Sequence, residues 1–176
     1  MRRKFALAAL LVLVTVTALA LVIAPTASAK AALAHVTTFE AYEVFPPNLV
    51  AQHITGNIAH LTFDNVLRET SASELVDGLN YTHMNVITPL VGGSWLNSTR
   101  GICYGTSTLV TEDMGVWEGT FAGTISMAGG TYDCAVTARG VSGAVSGMVF
   151  VGRTVNTDGY ASSATMSGTV IAPHGF

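Results

Sequence analysis

Alternate positions of the stretch Gly115 to Met127, G-V-W-E-G-T-F-A-G-T-I-S-M, fall into two unlike sets. On a strand, Trp117, Gly119, Phe121, Gly123 and Ile125 share one side, and Val116, Glu118, Thr120, Ala122, Thr124 and Ser126 share the other. The first side alternates bulk with glycine, and the second is small or polar. A closed barrel tapers inside, so every second inward position must be small for its neighbour to fill the middle. The segment therefore predicts a barrel strand with Trp117, Gly119, Phe121, Gly123 and Ile125 as barrel core. Val141, Gly143, Val145, Gly147, Val149 and Val151 repeat the pattern and predict a second such face over Val141 to Val151. Glu118 points away from the Trp117 side. It is solvated if that side is the core; if polar residues line the wall instead, Glu118 and Thr120 face a cavity, and burial there would raise the carboxyl pKa into the range of general acid–base work.

The same period-two reading extends along the chain, and no helical period lasts beyond about two turns after the N-terminal segment. Predicted strands are His35 to Phe45, ended by Pro46-Pro47; Gly56 to Leu67, with Ala59, Leu61, Phe63 and Leu67 opposite His60, Thr62 and Asp64; Tyr81 to Thr88; Ile102 to Val110; Gly115 to Met127; Thr131 to Ala138; Val141 to Val151; and Ala161 to Ile171. Turns are expected at Asp77-Gly78, Gly92-Gly93, Glu112-Asp113, Ala128-Gly129-Gly130, Arg139-Gly140 and Asn156 to Gly159. The fold class is all-β, a single antiparallel β-barrel of about eight strands.

The first residues change the picture from fold to address. Arg2, Arg3 and Lys4 precede an unbroken apolar run from Phe5 to Ile23, and Ala27 and Ala29 fit the small-residue rule for signal peptidase. Residues 1–29 are expected to be a signal peptide and residues 30–176 the β-barrel domain, secreted or otherwise extracytoplasmic. The alternative is an uncleaved anchor, because the run is long enough to span a bilayer. Arg2-Arg3 also partly matches a twin-arginine signal, although the strongly apolar run favours the general secretory route. Removing the three cationic residues takes the formal charge from −3 to −6. An acidic chain excludes nucleic acid and anionic membrane surfaces as partners, since both need a basic face. A mature chain of about 147 residues can bury a core as one domain.

Two cysteines, Cys103 and Cys134, are an even count in a chain with an export signal, which predicts one disulfide; two buried free thiols are the alternative. The bond would close a loop of about thirty residues, worth roughly 3–4 kcal/mol on the chain-entropy model. In a flat meander their strands lie two spacings apart, about 9.5 Å, beyond the Cα separation of a disulfide. A direct ladder-to-ladder bridge is thereby ruled out at this stage, and the bond is expected to need the Gly92 to Gly101 loop to fold across the barrel end and carry Cys103 inward.

Other chemistry is thin. Of His35, His53, His60, His83 and His174, the pair His53 and His60 would face opposite ways on one strand, while His60 and Asp64 share a face that His83 can neighbour; surface histidines are favoured over a metal site, and no metal is expected. No serine sits in a nucleophile elbow, and no phosphate loop, zinc pattern or basic aromatic stripe is present. Arg100, Arg139 and Arg153 are placed in or near solvated turns. Asn80-Tyr81-Thr82 and Asn97-Ser98-Thr99 are glycosylation sequons of consequence only in a eukaryotic host.

The runs Thr70-Ser71-Ala72-Ser73 with Gly78, G-I-C-Y-G-T-S-T-L from Gly101 to Leu109, G-V-W-E-G-T-F-A-G from Gly115, and Gly140-Val141-Ser142-Gly143-Ala144 resemble exported bacterial proteins related to the allene oxide cyclase and dirigent barrels, a calycin-like family. The resemblance spans about Phe63 to Ile171 and rests on glycine spacing and one tryptophan. It implies an eight-stranded antiparallel barrel with a central cavity, often assembled as a homo-oligomer, and in plant relatives a cofactor-free cyclisation or the steering of radical coupling. No catalytic residue transfers by motif, so the catalytic residues are unknown. No cofactor is expected. Two functions follow: a non-enzymatic binding or structural module holding a small apolar ligand, which is favoured, and a cofactor-free isomerase or cyclase acting on an apolar substrate. A buried ionisable group beside an open interior volume separates them.

Overall fold

The computed structural model describes residues 33–157, 159 and 164–172, with side chains from residue 47 onward. The chain is all-β, as the alternation predicts: one antiparallel sheet of eight strands, and two single 3-10 turns in place of any α-helix among the described residues. The strands are β1 (Leu33–Thr55), β2 (Ile58–Ser71), β3 (Gly78–Pro89), β4 (Gly101–Thr111), β5 (Gly115–Ser126), β6 (Thr131–Gly143), β7 (Val149–Asn156) and β8 (Ala164–Ala172). Each strand pairs with the next. The first part of β1 pairs with β8 and its second part with β2, so the order of pairing returns to its start. The predicted signal segment, residues 158 and 160–163, and His174 lie outside the described residues, as does the start of the strand predicted from Ala161.

Three predicted boundaries are corrected. Pro46-Pro47 does not end β1, which continues to Thr55. The prolines fall where the β1–β2 register shifts, between Phe45 and Asn48, and a bulge is a place where a missing backbone donor is tolerated. Arg139-Gly140 is no turn: it lies within β6, and the reversal comes at residues 144–147, where Gly147 has φ 82°. The single face expected from Val141 to Val151 is consequently split. Val145 is fully buried in the turn, while Val141 and Val151 are exposed on β6 and β7. Arg153 likewise sits within β7, where its guanidinium forms two hydrogen bonds with Asp133 on the neighbouring strand.

The interior follows from the pleat. Across β2 to β8 the ladder lines up Phe63, Met84, Gly105, Phe121, Val136, Gly152 and Gly168 in one inward row. Glycines leave room for rings: a Cβ at Gly105 would touch the end of the Phe121 ring, and a Cβ at Gly152 or Gly168 would come within 2.5 Å of the Phe150 ring. Two buried clusters result. One gathers Trp117, Leu109, Val145, Phe150 and Met166 under the 3-10 turn Glu74–Val76, and the other gathers Leu61, Phe63, Val86, Ile125 and the two cysteines near the turn Trp95–Asn97. Phe121 packs against both.

Candidate functional site

Between the two clusters the inner faces enclose a cavity of about 320 Å³. All eight strands contribute to its lining, from Pro47 on β1 to Met166 on β8. Phe63, Met84, Trp117, Phe121 and Phe150 are among its lining, and the cavity is chiefly apolar, at the lower end of the size range of small-molecule sites. Leu96, half exposed, lines it at the surface.

Its polar lining residues are Asn65 and Glu69 on β2, Asn80 and Thr82 on β3, Ser107 on β4, Tyr132 on β6, and Thr154 and Asn156 on β7. Because inward positions on β2 are odd-numbered, the parity that buries Ala59, Leu61 and Phe63 also turns Asn65 and Glu69 toward the cavity. On β3, Asn80 and Thr82 face the same space, and Ser107 continues this row on β4. Glu69 is 1% exposed and Asn80 5%. The Asn80 amide Nδ2 donates to Glu69 Oε1 at 2.5 Å. Burial pushes the Glu69 carboxyl up to about 7, against a smaller lowering by the Asn80 hydrogen bond. The side-chain oxygens of Asn65 and Asn80 are buried with no hydrogen-bond partner. Nearby, Trp117 Nε1 donates to the Leu75 carbonyl at 2.7 Å, pinning the 3-10 turn over this end of the interior.

The expected core residues take definite places. Trp117 and Ile125 are buried, Phe121 is half-buried, all three line the cavity, and Gly119 and Gly123 sit between them on the same inward face. Glu118 is exposed opposite Arg139 on β6, so it belongs to the outer wall. Neither Glu69 nor Asn80 is in an expected strand: the one predicted to stop at Leu67 runs on to Ser71, and the one predicted from Tyr81 begins at Gly78. The parity of β2 carried the signal.

Cys103 and Cys134 require the sharpest correction. They face each other across Gly123, which pairs with both. Their sulfurs are 3.2 Å apart, two free thiols in contact rather than the expected disulfide, whose bond is about 2.05 Å. Neither does the Gly92 to Gly101 segment bring Cys103 inward, since Cys103 sits in regular β4 pairing. The two sulfurs meet because both side chains point inward on either side of Gly123, which has no side chain to keep them apart. The hydrogen bond from the Cys134 thiol lowers the Cys103 pKa, and the same bond, with burial, pushes Cys134 up.

On the outside, His53 and His60 are cross-strand partners on β1 and β2, their rings 6.3 Å apart, and so face the same way because they occupy different strands. His83 Nδ1 lies 2.7 Å from Asp64 Oδ1 in an exposed pair. Among the described residues no cluster of three or more histidine, cysteine or acidic side chains is placed to hold a metal ion. No family model, curated protein or solved structure matches the chain.

Proposed function

We propose that the mature chain is an extracytoplasmic barrel that holds one small apolar molecule in its interior, without chemistry. The observation that carries this reading is the cavity itself: about 320 Å³, lined from every strand, rich in aromatic and aliphatic side chains, with a minority of polar groups among them. A pocket of that kind fixes a ligand by burying its body and orienting one polar end. The N-terminal charge and apolar pattern support the export half of the reading. The test is uptake of a neutral apolar fluorophore, N-phenyl-1-naphthylamine, by the folded chain. One equivalent per chain is expected, and Val136→Trp, which fills the cavity, should abolish it while leaving the far-ultraviolet circular dichroism of a β protein. A parent chain that takes up none rejects the reading.

Glu69 supports a second reading, a cofactor-free isomerase or cyclase. A carboxyl with a pKa raised to about 7 exchanges a proton near neutrality, and Glu69 is the single carboxyl among the described residues lining the cavity. Under this reading Glu69→Gln abolishes turnover of a bound substrate while leaving its affinity intact; under the first, nothing is turned over by either form.

A further inference from the structure

Native interiors rarely leave a buried acceptor unpaired, and here two stand on adjacent strands of one cavity wall. Asn80 spends its amide hydrogen on Glu69, which directs its amide plane and leaves Oδ1 free. Asn65 lies opposite Thr82 and hence diagonal to Asn80, a relation that puts their backbones about 7–8 Å apart. Both oxygens accept and neither donates. Among the described residues lining the cavity Glu69 is the only carboxyl, and none is an arginine, lysine or histidine. A carboxylate or phosphate head group brought to these two oxygens would meet acceptors and the Glu69 carboxyl with no counter-ion, at high cost in an apolar interior. A neutral donor satisfies the two unpaired oxygens.

Resting on the reading that the cavity binds a small apolar molecule, we infer that its ligand is a neutral apolar alcohol, whose hydroxyl donates to Asn80 Oδ1 while its hydrocarbon body lies against Trp117, Phe121 and Phe150. Asn65 Oδ1 is the acceptor for a second donor on the same molecule. The aromatic wall gives affinity, and the β2–β3 wall selects the head group.

Three probes of one chain length test this: decane, decan-1-ol and decanoate, each competing with N-phenyl-1-naphthylamine at pH 8. The parent chain should bind decan-1-ol at least about tenfold more tightly than decanoate. Asn80→Leu should weaken decan-1-ol about tenfold or more and leave decane bound as well or better, which also shows that the variant is folded. Equal losses for decane and decan-1-ol, or decanoate binding the parent as tightly as the alcohol, overturn the inference while leaving the cavity a binding site. Failure of all three probes to displace a bound fluorophore overturns the inference alone; failure of the fluorophore itself to bind overturns the binding reading with it.

Discussion

The wall formed by β2 and β3 and the wall formed by β7 and β8 face one cavity and solve opposite problems. On β7 and β8 the inward positions include Phe150, Gly152, Thr154, Asn156, Met166, Gly168 and Val170, and the Phe150 ring lies over the two glycines. On β2 and β3 they include Asn65, Glu69, Asn80 and Thr82, and space is left beside them. Around Phe150 the first wall gains stability from dense apolar contact. The second gives some of that up, burying a carboxyl and two unpaired oxygens, and offers orientation. The ring seated on glycine and the buried carboxyl thus lie on different strands of the same sheet.

The largest effect should come from undoing the glycine-filled wall. Phe150→Ala removes the one ring that occupies two glycine positions, and backbone at Gly152 and Gly168 has no side chain with which to close the gap. A loss of about 3–5 kcal/mol in urea unfolding is expected. In the parent Gly168→Leu meets both the Phe150 ring at 2.5 Å and the Val151 backbone oxygen at 2.6 Å and destabilises; in the Phe150→Ala background the first conflict is gone, so the same substitution should cost less there. Additive effects of the two changes would show that ring and glycine do not share one space.

The polar wall should announce itself through pH. The Glu69 carboxyl is raised from 4.5 to about 7 in the folded chain, so the folded state holds its proton more firmly than the unfolded one. Its contribution is fully favourable below pH 4.5 and is lost as pH rises through 7. The difference between the two limits is about 3 kcal/mol. Unfolding free energies of the parent should fall over that window relative to Glu69→Gln, which has no proton to lose and keeps an oxygen for the Asn80 amide. Parallel pH profiles would mean that the carboxyl is solvated and the wall is not the polar pole described.

How far the two walls were legible in the sequence follows the same division. The bulk-and-glycine alternation around Trp117 needs no knowledge of neighbouring strands, so the inward face of β5 could be read from local parity alone. The Val141 to Val151 alternation looked equally clear and was broken by a turn at Val145, because glycine spacing serves a tight reversal as well as a strand. Glu69 and Asn80 were hidden for another reason. Polar residues at the ends of expected strands look like the beginnings of turns, and only the pairing of Glu69 with Gly78 and of Asn80 with Leu67 and Leu109 shows that these strands continue and turn both side chains inward. The meeting of Cys103 with Cys134 across Gly123 depends on the pairing of three strands, which no strand carries by itself.

The smallest effect should come from the outer surface of the dense wall. Arg153 on β7 grips Asp133 on β6 through two hydrogen bonds, holding the Asp133 carboxyl below its ordinary range and the Arg153 guanidinium above its own. The pair looks strong in geometry, yet both groups stand in water, where charges are screened and two side chains must be held in one arrangement to keep the contact. Inside the same strand, two positions before Arg153 and one beyond that, Phe150 is almost completely buried. Arg153→Ala should therefore leave the urea midpoint unchanged within error at both low and high salt, whereas Phe150→Ala shifts it at either. A salt-dependent loss on removing Arg153 would mean that the outer ion pair, and not the ring seated on glycine, holds β6, β7 and β8 in register.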